Sequence, residues 1–303
     1  MNDRSIVDTH VHLWELDRFE YPWLSDPGAE ELGFDYTEES LREDIGDLNV
    51  VATVHVQAEV SHQSDPVEET AWLDSLARAG GSPAIPTVCV GYADLRSADL
   101  PDVLDRHSDY PIFRGIRQEA WFDPLSRRAD IPKENMLDDP RWLDGLRELE
   151  RRDLSFDLLV WPGQLRQATE LLRQAPSLTV VLEHLGLPTE ATEEARQVWR
   201  TGMSAFARQI PNGVLKISAL RFVSPGWNMD ELAPLVNEAI EIFGPGRCMF
   251  GSNFPVDRPA VSYSHLWERL LDITSGLSLF ERDAIFVDTA VATYRINLSG
   301  RTP

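Results

Sequence analysis

Residues 6–12 of the chain read IVDTHVH, an apolar run that closes with two histidines, His10 and His12. Side chains two residues apart on a β-strand point to the same face, so both imidazoles are expected on one side of this strand's carboxyl end. Two imidazoles on one face can supply half of a divalent metal site, and they can equally hold a substrate carboxylate. This pattern favours a barrel in which the carboxyl ends of the strands converge on one face.

The rest of the chain repeats short apolar or β-branched runs of the same kind. With the first run, eight strands are predicted, at residues 5–8, 51–56, 84–91, 112–116, 155–160, 178–182, 213–217 and 247–250. Their apolar character is nearly continuous, without strict alternation, as in parallel strands that are covered on both faces. The sequence therefore predicts a parallel sheet.

Helical signals lie between these runs. Helices are predicted at residues 38–48, 67–79, 141–152 and 229–243, each preceded by a residue of the N-cap type and two of them by Asp-Pro. Strand and helix alternate through the chain, which predicts an α/β fold, a (β/α)8 TIM barrel, as a single domain over residues 1–303. The alternative, an open doubly wound sheet that binds a nucleotide, would carry a glycine-rich turn after its first strand, and no such motif occurs.

Composition excludes several classes of partner. The formal net charge of −22 argues against nucleic acid and anionic membranes, because phosphate neutralisation needs a basic face. Cys89 and Cys248 lie far apart in apolar segments, so neither a disulfide framework nor a thiolate zinc site is indicated. No stretch approaches the ~18 apolar residues of a membrane span. We expect a cytoplasmic protein.

Two long connections carry aromatic side chains. The first, from His12 to about Tyr36, contains Trp14, Tyr21, Trp23 and Phe34; the second, residues 118–138, contains Trp121 and Phe122. Long loops in compact domains are often lids or binding loops, whereas an aromatic minicore under a surface loop would give the same pattern. Trp14 is taken as a candidate substrate contact, and these loops would allow a homodimer.

Polar side chains follow most of the predicted strands, where a barrel places its site. They are Gln57 and Glu59 after the second strand, Arg114 and Arg117 near the fourth, His184 after the sixth, Lys216 on the seventh, and Asn253 and Asp257 after the eighth. An arginine can bind a substrate carboxylate with two hydrogen bonds, or pair with a neighbouring acid. Lys216 can likewise contact substrate or be tied to an acid inside the barrel. His62, His107 and His265 are expected at the solvated surface.

Four segments in order carry a resemblance that spans nearly the whole chain: IVDTHVHLWELDRFEYPWLSD (6–26), FRGIRQ (113–118), VVLEHLGLP (180–188) and CMFGSNFPVD (248–257). Together they resemble the lactonase-like branch of the amidohydrolase superfamily, which includes fuconolactone, rhamnonolactone and pyrone-dicarboxylate lactonases. The resemblance implies that His10, His12 and His184 hold a metal ion or the substrate carbonyl, and that arginines bind substrate carboxylates. Asn253 stands where the family has the aspartate that activates water or moves the proton.

The resemblance also implies what kind of metal site to expect. Binuclear members have a bridging lysine on a middle strand and two further histidines, and IFRGIRQ and SFDLLVW provide neither. One divalent ion, Zn or Mn, or a metal-free site is the expectation.

The function that follows is hydrolysis of a lactone of a small sugar acid or carboxylated metabolite, with a small anionic or lactone substrate. Arg117, and then Arg114, Gln57 and Lys216, would bind it, and Asp257 or Glu59 would transfer the proton in place of Asn253, which would bind or orient. Two alternatives stay open: a metal-dependent decarboxylase of an aromatic or unsaturated acid on the same scaffold, and a catalytically disabled ligand-binding barrel.

Overall fold

The structure is a computed structural model that describes residues 4–126 and 131–298. Eight parallel strands form one sheet in chain order, each hydrogen-bonded to the next. They are β1 Ile6–Val11, β2 Val50–Val56, β3 Val88–Gly91, β4 Phe113–Glu119, β5 Ser155–Leu159, β6 Val180–Leu182, β7 Gly213–Ile217 and β8 Cys248–Phe250. The predicted (β/α)8 barrel is confirmed. The predicted domain of residues 1–303 includes residues 1–3, 127–130 and 299–303, which lie outside the described residues.

Helices connect successive strands and cover the outside of the barrel. They are α1 Glu38–Ile45, α2 Val67–Ala79, α3 Leu100–Ser108, α4 Pro140–Arg151, α5 Leu165–Leu172, α6 Glu193–Gln209, α7 Leu220–Val223, α8 Met229–Phe243, α9 Tyr263–Ile273, α10 Leu279–Asp283 and α11 Thr289–Tyr294. The predicted caps operate: the side chains of Thr37, Asp139 and Asn228 each accept a hydrogen bond from a backbone N–H in the first turn. Within the described residues no helix is long and apolar enough to span a membrane.

The barrel closes between its first and last strands. The backbone N–H of Asn253 donates to the carbonyl of His10, and that of His12 donates to the carbonyl of Phe254, both at 2.8 Å. Asp8, fully buried, accepts hydrogen bonds from the Ser252 N–H and the Tyr263 hydroxyl, each at 2.8 Å. The backbone groups that close the barrel therefore belong to the paired histidines themselves.

The first long connection is held by an aromatic cluster. Trp14 is fully buried, its indole N–H donates to the carbonyl of Phe34, and its ring packs against Tyr21, Trp23 and Tyr36. Trp14 is therefore part of a minicore and does not contact the site cavity, contrary to the expected substrate contact. The sequence could not reveal where Trp14 points. Side chains alternate predictably only in a regular strand, whereas tertiary packing sets their direction in an irregular loop.

Two other expectations concern buried side chains. Cys89 and Cys248 are free and buried, as expected from their apolar surroundings. His107, expected at the surface, is instead fully buried, stacked on Phe113 and hydrogen-bonded to Thr70. The amphipathic α3 turns this histidine inward, which its neighbours in sequence did not indicate.

Candidate active site

A cavity opens at the carboxyl ends of the strands, with about 560 Å³ of empty space including its open mouth. Its lining combines polar groups with apolar and aromatic side chains: His12, Trp23, Ala58, Glu59, Arg117, Glu119, Trp121, Leu159, His184, Leu187, Phe222, Asn253 and Val256. Both long loops contribute, Trp23 from the first and Trp121 from the second. A concave, largely apolar pocket with a few convergent polar groups is typical of a small-molecule site.

Three of the polar residues around the cavity have a left-handed backbone. The φ angles of Glu59, His184 and Asn253 are 55°, 54° and 59°. Residues other than glycine rarely adopt such angles, and they persist where the surrounding structure holds them. Each of the three follows a strand, so the strain is concentrated where the chain turns away from the barrel mouth.

The three predicted histidines lie together. The Nε2 atoms of His10 and His12 are 3.0 Å apart, and the rings of His10 and His184 have centroids 4.7 Å apart. Gly251 permits this packing, because a Cβ at that position would lie only 2.6 Å from the Cβ of His10. The sequence thus brings β8 and β1 into close contact directly beneath the imidazoles.

Outer partners fix the orientation of each ring. His12 Nδ1 donates to the Val56 carbonyl at 2.7 Å, His184 Nδ1 lies 2.9 Å from the Ser218 hydroxyl, and His10 Nδ1 lies 3.1 Å from Glu183 Oε1. Metal-binding histidines commonly engage the second ring nitrogen in this way, which leaves Nε2 as the ligand. The arrangement fits a divalent cation.

Burial keeps the imidazoles neutral. It lowers the pKa of His10 and His12 well below the usual value and that of His184 to about 4, with Glu183 only partly opposing the effect at His10 and His184. A neutral imidazole has a free lone pair at neutral pH, as a metal ligand requires.

Glu183, which the sequence patterns did not single out, forms a candidate metal group with two of these histidines, and His12 is not part of that group. His10, Glu183 and His184 each offer a ligand atom within 4.8 Å of the others. Glu183 Oε2 is buried without a hydrogen-bond partner among the described residues, 3.9 Å from His184 Nε2. Burial would raise the pKa of Glu183; a protonated His10 and the Lys216 ammonium would both lower it, and with His10 neutral the ammonium remains to favour the carboxylate. A buried carboxylate oxygen that lacks a hydrogen bond, beside the imidazole of His184, supports the fit to a cation.

Lys216 lies below the cavity and not in its lining. Its fully buried ammonium contacts Asp157 Oδ2 at 2.6 Å and Glu183 Oε1 at 3.4 Å, and the Tyr294 hydroxyl donates to the same Asp157 oxygen at 2.7 Å. Lys216 therefore does not contact a substrate in this cavity. It pairs with acids inside the barrel, which was the alternative expectation. The sequence signal for this network was a carboxylate within or directly after an apolar strand, Asp157 in β5 and Glu183 after β6.

Arg117 lines the cavity, and carboxylates already surround it. Its Nη1 donates to Glu119 Oε1 at 2.7 Å and lies 3.8 Å from Glu183 Oε2, while Nη2 donates to the Gln57 carbonyl at 2.8 Å and lies 3.8 Å from Glu59 Oε1. Among the described lining residues Arg117 is the sole permanent cation, beside the carboxylates of Glu59 and Glu119. The guanidinium is thus matched with acids belonging to the protein.

Arg114 lies at the opposite end of the barrel and cannot reach a substrate in the cavity. It is the second residue of β4, and its Nη1 donates to the carbonyls of Pro111 and Phe113. β4 runs to Glu119, three residues beyond the predicted strand, so Arg117 is carried toward the mouth and Arg114 stays at the amino end. The two arginines are three residues apart in the sequence, and alternation along a regular strand lets only one of them face the barrel axis.

Glu59 forms part of the cavity wall, and Gln57 supports it. Gln57 is fully buried outside the lining: its amide N–H donates to Glu59 Oε1, and its Oε1 accepts from the Glu59 backbone N–H at 2.7 Å. Gln57 therefore positions Glu59 and does not contact a ligand in this cavity. The other oxygen of Glu59 lies 3.2 Å from His62 Nε2, which the sequence analysis assigned to the surface.

Asn253 reaches the cavity, and Asp257 lies behind it. Asn253 Nδ2 donates to Asp257 Oδ1 at 2.8 Å, and the Arg221 backbone N–H donates to Asp257 Oδ2 at 3.2 Å. Asp257 is fully buried and outside the cavity lining, and burial raises its pKa to about 7. Asp257, one of the two predicted proton-transfer groups, is thus separated from the cavity by the side chain of Asn253.

Comparison with known proteins places this geometry in a family. The family model described as amidohydrolase matches residues 7–296. An uncharacterized protein of Sinorhizobium fredii is 38% identical over 98% of this chain and 100% of its own length, and an L-fucono-1,5-lactonase of Burkholderia multivorans is 29% identical over 96% of each. A crystal structure of an amidohydrolase from Burkholderia multivorans with bound zinc has a TM-score of 0.80 and 27% identity, covering 97% of this chain and all of that one. The chain is an enzyme that belongs to the amidohydrolase family.

Proposed function

We propose that this enzyme hydrolyses the lactone of a neutral sugar acid. The observation that carries the proposal is the charge balance of the cavity, where Arg117 is already paired with Glu119 and Glu59 adds a further carboxylate. A carboxylate on the substrate would add a further negative charge and be repelled there, whereas the hydroxyl groups of a sugar lactone can donate hydrogen bonds to both carboxylates. Similarity to L-fucono-1,5-lactonases supports a sugar lactone over a carboxylated one.

A divalent ion, Zn or Mn, is part of the proposal. His10, His12 and His184 would hold it, with the unsatisfied oxygen of Glu183 as the fourth candidate ligand. Bound there, such an ion supplies Lewis acidity for a carbonyl oxygen and lowers the pKa of a bound water. The same carboxylate ties the histidine cluster to Lys216, so the cluster is anchored to the barrel interior.

The remaining groups of the cavity would bind and orient the lactone. Trp23, Trp121 and Phe222 offer apolar faces for the carbon skeleton, and Glu59 and Glu119 accept hydrogen bonds from its hydroxyls. Asn253 lines the cavity and donates its amide N–H to Asp257, so its carbonyl oxygen would be the atom that orients the lactone. Glu59 is the carboxylate placed to accept a proton at the wall of the cavity, since Asp257 lies behind Asn253.

A lactone screen tests this function. Purified enzyme is incubated with aldonolactones and with a dicarboxylated pyrone lactone, and acid release is followed with a pH indicator. Faster hydrolysis of the neutral sugar lactones is expected, and preference for the dicarboxylate would contradict the charge argument. Proton consumption with release of carbon dioxide from aromatic acids would indicate the decarboxylase, and ligand-induced stabilisation without turnover would indicate a binding barrel.

A further inference from the structure

Glu59 separates the site cavity from a second, outer cleft. Its side chain lines both spaces, as does Trp23, whose indole N–H donates to the Ala58 carbonyl at 2.8 Å. The outer cleft is otherwise formed by Pro22 and by residues of the loop after β2, including Ser61, His62 and Gln63. One carboxylate thus forms a thin wall between a cavity that would hold the lactone and a space open to solvent.

His62 stands on the outer side of that wall. Its Nε2 lies 3.2 Å from Glu59 Oε2, and about half of its side chain, 52%, is exposed. Its ring stacks on Tyr92 with centroids 4.1 Å apart and an interplanar angle of 8°. The stacking and the contact with Glu59 together hold Nε2 against the carboxylate, and the half-exposed side chain remains accessible to water.

Lactone hydrolysis needs an exit for one proton. Water adds to the carbonyl carbon, the ring carbon–oxygen bond breaks, and the ring oxygen takes up one proton as a hydroxyl. The new carboxylic acid then ionises, so one proton per turnover passes from the cavity to bulk water. No oxidant or further reactant is involved.

We propose that Glu59 and His62 form the relay that carries this proton from the cavity to solvent, an inference that rests on the proposed lactone hydrolysis. Glu59 takes the proton at the wall and passes it from Oε2 to His62 Nε2, and the imidazolium releases a proton from Nδ1 to water. His62 acts through Glu59 and does not itself touch the substrate.

The charged groups around the pair suit this transfer. Burial lowers the pKa of His62, but the hydrogen bond and charge of Glu59, with Asp94 beyond, raise it above the usual value, and Arg117 opposes them. Burial raises the pKa of Glu59, yet His62 and Arg117 bring it below the usual value, with Gln57 adding a hydrogen bond. The proton therefore moves outward, toward the more basic group.

Buffer rescue tests the relay. In a weak buffer at saturating lactone, His62→Gln, which retains a hydrogen-bonding side chain, should lower kcat by about tenfold and leave KM unchanged. Added imidazole, which can enter the outer cleft, should restore kcat. Glu59→Gln should remain slow in imidazole, because this substitution interrupts proton transfer on the cavity side of the wall, which imidazole in the outer cleft does not replace. The control is His265→Gln, an exposed histidine on α9 with 53% of its side chain accessible, which should match the wild type in both buffers.

The outcomes separate the two proposals. If the wild type hydrolyses no lactone, the proposed function is wrong and the relay with it. If the wild type is active and His62→Gln has the same kcat in weak buffer, the relay is wrong while the function stands. A loss of kcat that imidazole does not relieve would also overturn the relay, because His62 would then only support the position of Glu59.

Discussion

Asn253 and Asp257 form a buried amide–carboxylate pair, joined by a hydrogen bond of 2.8 Å from Asn253 Nδ2 to Asp257 Oδ1. The backbone joins them a second time, since the Asp257 N–H donates to the Asn253 carbonyl at 3.1 Å. The amide nitrogen is therefore held by Asp257, while the residue itself lines the cavity. An amide paired with a buried carboxylate thus stands at the position where the family resemblance implies an aspartate.

Exchanging the two side chains tests this pairing. Asn253→Asp alone places two carboxylates against each other, so one of them must keep a proton, and we expect a loss of kcat/KM with a new ionisation in the pH–rate profile. The double variant Asn253→Asp/Asp257→Asn restores one donor and one acceptor, and should recover activity without that ionisation. Equal profiles for the single and double variants would contradict the pairing.

Asp257 also predicts a pH dependence of stability. Its pKa is raised from 3.8 to about 7 in the folded protein, so between those values the folded state keeps a proton that the unfolded chain has released. The free energy of unfolding therefore falls as pH rises through this window, by about 4 kcal/mol at most from this residue. Denaturant unfolding of Asp257→Asn and wild type should show the variant gaining relative stability from about pH 4 to 7. A constant difference across these pH values would refute the raised pKa.

The two arginines of β4 provide a matched comparison. Arg117→Gln leaves the carboxylates of Glu119, Glu59 and Glu183 without their cation, and we expect kcat/KM to fall by about a hundredfold or more, with lower stability. Arg114→Gln at the other end of the barrel loses only bonds to backbone carbonyls and should leave kcat/KM unchanged. Steady-state kinetics of both variants with one lactone decides the point. If the two variants lowered kcat/KM equally, the assignment of the active site to this cavity would be wrong.

Metal content tests the role of Glu183. Elemental analysis of purified wild type should find about one divalent ion per chain, and Glu183→Gln should weaken binding by about 10- to 100-fold in competition with a chelator. His265→Gln serves as the unaffected control. A full complement of ion in Glu183→Gln at equal chelator would assign this carboxylate to the Lys216 network alone.

The barrel could be predicted from the sequence because each strand is an apolar run buried on both faces. These runs also locate the carboxyl ends of the strands. Because those ends converge on one face of a barrel, His10, His12 and His184 were expected to lie together. Arg117 was preferred over Arg114 for the same reason, since alternation along β4 lets only one of them face the axis. These inferences depend on local periodicity, which the tertiary structure preserves.

The other site features depend on contacts between distant segments, which local patterns do not contain. Trp14 and Trp23 belong to the same long connection, and no sequence pattern distinguishes them, yet Trp14 packs within the loop and Trp23 lines the cavity. Asp257 lies four residues from Asn253, but only the turn after β8 shows that it stands behind the amide. His62 appeared as a surface histidine, and its importance comes from Glu59 reaching it across the wall.

The closure of the barrel has a consequence for how the protein is made. Thr9 donates to the carbonyl of Phe250, 241 positions later in the chain, and Asn253 fixes the backbone of His10. During translation His10 and His12 are synthesised well before the strand that holds them in place, since 241 positions separate Thr9 from Phe250. A nascent chain therefore carries its imidazoles on an unpaired edge, without a formed site, until the ribosome has delivered β8.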